Sequence, residues 1–279
     1  MKIAVFGDLH YPTIKESYDQ IETERSIFFS GYLESFFNLE VDLYVSIGDL
    51  TNYGVEDELK EIYDIIHKFN KPFIHVIGNH DCYGLPKNEM LKITKQKRYH
   101  AIHNEDASLI FLDTAKDQDF EDWGGTLEET QLQWLDKQLE LAKTNPVLVF
   151  AHHPVYETTS NSEKKGLSVD PNIPLKDILN KKQGVNIYIN GHNHYNSIVQ
   201  QGNWTYVQLS AVMDEIGARI IEISEQQIEI KEITLSNEIL KSAANKVGTA
   251  IDHFELSPHQ IGVEKDRNVT LLTNEKVKA

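Results

Sequence analysis

The stretch GNHD, residues 78–81, directly follows the run KPFIHVI at residues 71–77. A run of apolar, β-branched and aromatic residues is typical of a buried strand. The amide, imidazole and carboxylate that come next need polar partners, which a protein core does not offer. An ordinary turn uses Gly and Asn but has no need of a histidine. We therefore expect GNHD to have a chemical role, and we compare it with the other strand ends of the chain.

The same arrangement recurs at the ends of four further apolar runs. The five pairs of run and polar block are KIAVF (2–6) with GDLH (7–10), LYVSI (43–47) with GDLTNYG (48–54), FIHVI (73–77) with GNHD (78–81), VLVFA (147–151) with HHP (152–154), and NIYIN (186–190) with GHNH (191–194). In an open α/β sheet the carboxyl ends of the strands share one edge, where ligands bind. Each block alone is compatible with a polar turn, but the five in order favour one shared site.

The polar blocks carry imidazoles, carboxylates and an amide without thiolates, which is a ligand set for transition metals. The candidates outnumber what one four-coordinate ion needs, so two ions that share a carboxylate fit better. Asp-x-His and His-x-His spacing places alternate side chains on one side of an extended backbone. The candidate ligands are Asp8, His10, Asp49, Asn79, His152, His192 and His194.

The pattern between the blocks predicts an α/β chain. Helical periodicity at residues 16–39, 56–69 and 128–143 alternates with the strand-like runs. After residue 194, four strand-like segments joined by short turns favour antiparallel pairing; they cover residues 195–201, 204–209, 217–223 and 227–235. The end of the chain is less distinct, with a short helix near 237–247 followed by a polar tail.

Composition narrows the function. The 279 residues include 43 acidic and 27 basic side chains, giving a net charge of −16, which argues against a general binder of nucleic-acid phosphates. One cysteine, Cys82, allows no disulfide within the chain. The N-terminus resembles neither a signal peptide nor a membrane span, so we expect a cytoplasmic protein that does not bind membranes.

The five blocks together, DLH, GDLTNYG, GNHD, HHP and GHNH, resemble the calcineurin-like metallophosphoesterase superfamily, whose pattern is D-x-H, G-D, G-N-H-[DE], H and G-H-x-H. The resemblance implies a four-layer α/β/β/α sandwich with two mixed β-sheets. It covers a catalytic domain at residues 1–235, and residues 236–279 would be an extension with a role in packing or oligomerisation. Purple acid phosphatases of this kind have Tyr at the position of Asn52, and they lack the histidine that this chain has as His10. The class III cyclic nucleotide phosphodiesterases are therefore the nearer branch.

Carried over by position, the resemblance implies a dinuclear centre. The first ion would be bound by Asp8, His10 and His194, the second by Asn79, His152 and His192, with Asp49 bridging both. Two divalent or trivalent ions are implied, and Mn, Fe and Zn all accept this set of nitrogen and oxygen ligands. His80 would be the catalytic histidine outside the ligand set, and Asp81 would orient it through the other ring nitrogen. His153 is expected to lie behind the ligands.

The expected activity is hydrolysis of small phosphodiesters, cyclic nucleotides among them, by a metal-bound hydroxide. Phosphomonoesterase and nucleotide pyrophosphatase activities are the alternatives, and a non-catalytic binding scaffold is a third. The expected partner is a small phosphoester rather than a nucleic-acid polymer, and the tail allows a homo-oligomer. Four loops would set specificity; they are residues 11–16, 83–97, 114–126 and 155–172.

Overall fold

The computed structural model describes residues 1–13, 20–257 and 259–273. In these ranges the strands are β1 (Lys2–Phe6), β2 (Leu43–Ser46), β3 (Phe73–His75), β4 (His100–His103), β5 (Ser108–Phe111), β6 (Val147–Phe150), β7 (Asn186–Asn190), β8 (Ser197–Gln201), β9 (Trp204–Gln208), β10 (Gly217–Ile223), β11 (Gln227–Thr234) and β12 (Val269–Leu272). The helices are α1 (Glu22–Phe37), α2 (Glu56–His67), α3 (Lys87–Thr94), α4 (Glu129–Leu141), α5 (Leu175–Asn180) and α6 (Glu238–Ala250).

The strands form two mixed sheets of six. The first sheet has the order β12-β11-β10-β1-β2-β3. Strands β1, β2 and β3 pair in parallel, whereas the β1–β10, β10–β11 and β11–β12 pairs are antiparallel. The second sheet has the order β4-β5-β6-β7-β9-β8, with a parallel centre and one antiparallel strand at each edge. Both sheets thus combine crossover connections with hairpins, as the change of pattern after residue 194 predicts.

Alternation along the strands explains why the sheets stack. In β1, Ile3 and Val5 belong to the apolar core between the two sheets, whereas Ala4 and Phe6 pack on the helices outside. Helices α1, α2 and α6 cover the outer face of the first sheet, and α4 and α5 cover that of the second. The four-layer α/β/β/α sandwich with two mixed sheets is therefore confirmed.

The predicted helices are found within shorter bounds. The pattern at 16–39 corresponds to α1, and its first residues, 16–19, lie outside the described residues. Helices α3 and α5 and strands β4 and β12 were not predicted from the sequence. Each has eight residues or fewer, too few for a period to be recognised against the surrounding loops.

The extension after residue 235 packs on the first sheet. Helix α6 lies on α1, where a Cβ on Gly31 would approach Leu240 Cδ2 to 2.9 Å, and β12 pairs antiparallel with β11. Among the described residues, none of the helices combines the length and the apolar composition that a bilayer crossing requires.

Candidate metal centre

The five polar blocks meet at one edge of the sandwich. They follow β1, β2 and β3 of the first sheet and β6 and β7 of the second, at the carboxyl ends of parallel strands. All seven predicted ligands lie there. We call Asp8, His10 and His194 the first half-site, and Asn79, His152 and His192 the second half-site.

In the first half-site, nitrogen and oxygen atoms of the candidate ligands lie close together, and one carboxylate oxygen has no hydrogen-bond donor. The Nε2 atoms of His10 and His194 lie 3.1 Å apart, and Asp8 Oδ1 lies 3.6 Å from His194 Nε2. Asp8 is fully buried, and its Oδ2 has no hydrogen-bond partner among the described residues. An unpaired buried carboxylate oxygen is costly, so this arrangement suits a cation.

In the second half-site, hydrogen bonds fix which nitrogen faces the centre. His152 Nδ1 donates to Ile47 O at 3.0 Å, and His192 Nε2 donates to Gly166 O at 2.9 Å. The remaining nitrogens, His152 Nε2 and His192 Nδ1, lie 3.2 Å apart. Backbone acceptors of this kind set the tautomer of metal-binding histidines.

The amide of Asn79 completes the second half-site. Its Oδ1 lies 3.0 Å from His152 Nε2, while its Nδ2 donates to the Tyr83 hydroxyl at 2.7 Å. The tyrosine therefore holds the amide with its oxygen, the only ligating atom, turned toward the histidines.

Asp49 lies between the half-sites. Its Oδ2 is 3.2 Å from His152 Nε2 and 4.0 Å from His10 Nε2, so the same oxygen reaches both sides. Its Oδ1 accepts a hydrogen bond from the backbone N–H of His80 at 2.8 Å. This is the arrangement expected of a carboxylate shared between two ions.

The backbone at the ligands is strained. Positive φ angles, between 41° and 70°, occur at five of the candidate ligands, namely Asp8, His10, Asp49, His192 and His194. A non-glycine residue in this region costs free energy and persists where surrounding structure enforces it, often at functional sites.

The glycine before a ligand block also serves a purpose that the sequence did not indicate. Gly78 does not have a positive φ, but a Cβ there would lie 2.1 Å from Asp49 Oδ1. Likewise a Cβ on Gly191 would lie 2.3 Å from Asp8 Oδ2. At these two positions glycine permits close approach of a carboxylate rather than a tight turn.

Burial and the neighbouring carboxylates set the protonation states of the candidate ligands. It lowers the pKa of His192 to about 3 and that of His194 to about 4, which keeps both imidazoles in the neutral, ligating form. Burial also acts to lower the pKa of His152, but the facing carboxylates of Asp49 and Asp8 raise it to about 9. Burial raises the pKa of Asp8 to about 8. A bound cation would relieve the desolvation of these carboxylates.

His80 lies beside the centre and is oriented by a backbone carbonyl. Its Nδ1 donates to Asn52 O at 2.8 Å, which leaves Nε2 for a substrate. One of its ring nitrogens lies within 4.8 Å of ligand atoms of His10 and Asp49. The sequence did not point to Asn52 for this contact, because a carbonyl oxygen has no side-chain signature.

The predicted contact between Asp81 and the His80 ring is wrong. The Asp81 carboxylate is fully buried and accepts hydrogen bonds from Thr51 N at 2.9 Å, Thr51 Oγ1 at 2.8 Å and Gly78 N at 2.9 Å. Its Oδ2 also lies 3.1 Å from His75 Nε2. Asp81 therefore ties the GNHD turn to the loop after β2, and these contacts support no direct part for it in the chemistry.

His153 is near the ligands but its ring is engaged elsewhere. Its Nδ1 lies 2.9 Å from Thr114 Oγ1 and its Nε2 lies 2.9 Å from Trp123 O. With both ring nitrogens hydrogen-bonded, His153 packs against the candidate ligand loops, and a supporting role for it stays a prediction.

An open cavity of about 450 Å³ lies in front of the centre. Its lining includes residues from three of the four loops expected to set specificity, and also His253, which the sequence did not indicate. The lining residues are Asp49, Asn79, His80, Tyr83, Phe120, Trp123, Leu167, His192, His194 and His253.

Comparison with known proteins agrees with this geometry. A family model described as calcineurin-like phosphoesterase matches residues 1–196. A glycerophosphodiester phosphodiesterase from Enterobacter lignolyticus is 25% identical over 63% of this chain and 64% of its own length. A 3′,5′-cyclic-nucleotide phosphodiesterase from a Nostoc species is 23% identical over 60% of this chain and 61% of its own length. The chain thus spans less than two thirds of these curated relatives.

Solved structures show the same fold. A dimetal phosphatase from Danio rerio superposes with a TM-score of 0.69 at 16% identity, covering 85% of this chain and 97% of that one. At that identity the likeness concerns the fold alone. The family model, in contrast, includes all five polar blocks within its 196 residues, and the chain belongs to the calcineurin-like phosphoesterase family.

Proposed function

We propose that the chain is a metal-dependent phosphodiesterase that acts on small phosphodiesters. The observation that carries the proposal is the convergence of seven candidate ligand side chains beside His80 and an open cavity. Two of the seven are the buried carboxylates of Asp8 and Asp49. The names of the curated relatives, which include a glycerophosphodiester and a cyclic-nucleotide phosphodiesterase, support the same class of reaction.

The residues present fit a dinuclear centre. Asp8 Oδ2 needs a cationic partner, and the hydrogen bonds of His152 and His192 leave ligating nitrogens turned inward. Asp8, His10 and His194 would hold one ion, Asn79, His152 and His192 the other, and Asp49 both. Bound ions of this kind supply Lewis-acid activation of water and of the phosphoryl group.

His80 would handle the proton of the leaving group. The Asn52 carbonyl occupies Nδ1, so Nε2 is the nitrogen that can donate to the departing ester oxygen. The amide of Asn79 adds no charge, which keeps the site less negative and favours an anionic ester. A small cavity and the net charge of −16 argue against a nucleic-acid polymer as substrate.

The test is turnover by the metal-reconstituted protein on a panel of phosphoesters. Separate samples loaded with Mn, Fe or Zn would be assayed with bis-p-nitrophenyl phosphate, p-nitrophenyl phosphate, cyclic AMP and ADP-ribose. We expect diester hydrolysis that is lost on chelation and restored by the metal. Activity confined to the monoester would contradict the diesterase assignment, and activity confined to ADP-ribose would indicate a pyrophosphatase.

A further inference from the structure

The chain after α6 returns to the metal centre. We call residues 251–257 the C-terminal segment; it lies outside the residues that the family model matches. Its backbone is held at both ends, because Asn52 Nδ2 donates to Asp252 O at 2.9 Å and Ser257 N donates to Asp214 Oδ1 at 2.5 Å. Asn52 thus contacts both this segment and His80, so the segment is fixed relative to the centre.

One side chain of the segment covers the first half-site. The Phe254 ring centre lies 5.0 Å from that of His10 and 5.3 Å from that of His194. An apolar ring against two candidate ligands keeps water from that side. Phe254 does not line the cavity, whereas its chain neighbour His253 does.

The neighbouring side chain, His253, forms part of the cavity wall. Its ring lies 5.1 Å from Phe120 in an edge-to-face arrangement, and Phe120 lies 4.4 Å from Tyr83. Tyr83 in turn lies 4.9 Å from the His80 ring. A continuous row of rings therefore leads from the catalytic histidine to the cavity mouth.

The outer rings of this wall are unusually exposed. Phe120 is 44% exposed and Trp123 is 47% exposed, although both line the cavity. Trp123 is nevertheless fixed, since its carbonyl accepts from His153 and its indole packs on Gly166, where a Cβ would lie 2.9 Å from Nε1. Exposed but fixed aromatic faces beside a polar centre are suited to stacking with a planar ring.

We propose that Phe120, Trp123 and His253 form an aromatic subsite that binds a planar ring on the ester group of the substrate. This inference rests on the proposed phosphodiesterase function and refines it. It favours nucleoside phosphodiesters, such as a cyclic nucleotide, over esters of glycerol, which have no π face to stack. The cavity of about 450 Å³ is in the size range of sites for such ligands.

The test compares a ring-bearing with a ring-free diester. The metal-loaded full chain would be assayed with cyclic AMP and with glycerophosphoethanolamine, as wild type, Phe120→Ala and His253→Asn. Asparagine suits the left-handed backbone at His253, where φ is 57°, so this variant removes the ring without adding strain. Leu141→Ala is the control, since Leu141 is 54% exposed at the end of α4 and outside the cavity.

We expect wild type to prefer cyclic AMP in kcat/KM. The ratio of the two kcat/KM values should fall about tenfold in Phe120→Ala, mainly through KM for cyclic AMP, which is the scale of one lost stacking contact. His253→Asn should move the ratio in the same direction, and Leu141→Ala should leave it unchanged. An equal loss on both diesters, or no loss in either cavity variant, would overturn the subsite.

A binding measurement separates this inference from the proposed function. Calorimetric titration of the metal-loaded protein with AMP and with glycerol 3-phosphate needs no turnover. If wild type hydrolyses neither diester but binds AMP more tightly, and Phe120→Ala removes that preference, the phosphodiesterase proposal fails and the subsite is supported. Equal binding of the two ligands by wild type would overturn the subsite, whatever the turnover.

Discussion

Two buried polar clusters lie at the carboxyl edge of the sandwich, and they differ in how their polar atoms are satisfied. One is the candidate metal centre. The other, which we call the ion cluster, consists of Lys87, Arg98, Asp113 and Gln131 and follows β5. Asp113 ends an apolar run just as Asp8 and Asp49 do, so the sequence pattern alone does not separate the two kinds of carboxylate.

The ion cluster completes its own hydrogen bonds. Lys87 Nζ donates to both oxygens of Asp113, at 2.9 and 2.8 Å, and Arg98 Nε donates to Oδ2 at 2.5 Å. The Gln131 amide pairs with the backbone N–H and carbonyl of Asp113, at 2.9 and 2.8 Å. A buried carboxylate with its own cations is a structural element, and no further ligand is needed to explain it.

In the candidate metal centre, the ion pairs of Asp8 and Asp49 among the described residues are with histidines, not with lysine or arginine. Its carboxylates face imidazoles, and Asp8 Oδ2 has no partner among the described residues. In this fold, a strand-end carboxylate that lysine and arginine reach is structural, whereas Asp8 and Asp49, which face histidines, are candidate metal ligands. Variants in the two clusters should therefore affect different properties: metal content in one, the free energy of unfolding in the other.

The largest effect is expected from Asp49→Asn. The amide keeps the size of the side chain but removes the charge that both half-sites share, so at least one ion should be lost and turnover on bis-p-nitrophenyl phosphate should fall to background. Elemental analysis of the purified protein and the rate of p-nitrophenol release are the measurements. Asp113→Asn is the matched control, and it should keep two ions per folded chain. Two full ions in Asp49→Asn would reject the bridging role.

How much of this could be read from the sequence depends on the kind of atom involved. Side chains at strand ends follow a pattern in the sequence, and the seven candidate ligands predicted from it lie together in the structure. Contacts made by backbone atoms carry none, so the Asn52 carbonyl that orients His80 was missed and Asp81 was assigned that role instead.

Distance along the chain limited the prediction in a second way. His253 and Phe254 lie almost sixty residues after the last polar block, in a segment without strand or helix periodicity. Phe254 lies beside His10 and His253 lies in the cavity wall because α6 packs on α1, which is a tertiary contact. The fold was more predictable, because the alternation of buried runs and amphipathic helices covers most of both sheets.

In the ion cluster, Lys87→Met should lower the free energy of unfolding by about 3 kcal/mol. The buried Asp113 carboxylate would lose Lys87 but keep its ion pair with Arg98. The expected loss in the free energy of unfolding is therefore at the lower end of the usual range for breaking a buried ion pair. Urea denaturation followed by circular dichroism measures the effect. Lys60→Met is the control, because the Lys60–Glu56 pair on α2 is exposed to solvent and its loss should change stability far less.

If folded Lys87→Met lost metal, the ion cluster would contribute to metal binding and the two clusters would not have separate roles. Equal destabilisation by Lys87→Met and Lys60→Met would show instead that the ion cluster contributes no more than a surface pair. The metal content should therefore be measured on the same samples as the unfolding curves.

His80→Ala should lower kcat by about 10²-fold or more, the usual scale for a general acid, while both ions stay bound. The ring lies at the cavity, but the predicted ligand sets are complete without it. Turnover and elemental analysis on one preparation test both parts. Loss of an ion from His80→Ala would move His80 into the ligand set, and unchanged kcat would remove it from the mechanism.

Asp81→Asn provides the contrast to His80→Ala. The Asp81 carboxylate accepts two hydrogen bonds from Thr51 through Oδ1 and one from Gly78 through Oδ2. In asparagine one of these oxygens becomes an amide nitrogen, which cannot accept. We expect this variant to lower the unfolding temperature and to reduce kcat less than His80→Ala does. A loss of kcat equal to that of His80→Ala, in a variant with unchanged stability, would restore the role of Asp81 in orienting the ring.

The smallest effect is expected from Tyr83→Phe, which removes one hydroxyl group. Without it the Asn79 amide loses the partner, at 2.7 Å, that turns its oxygen toward the second half-site. Removing such an outer partner typically weakens metal binding by about 10-fold or more, and chelator competition would measure this for each ion. Tyr99→Phe is the control, since Tyr99 packs on Trp134 instead. Weaker binding of one ion only would show that the hydroxyl acts through Asn79. Equal weakening of both ions would show that the hydroxyl stabilises the whole site, and the two half-sites could then not be distinguished.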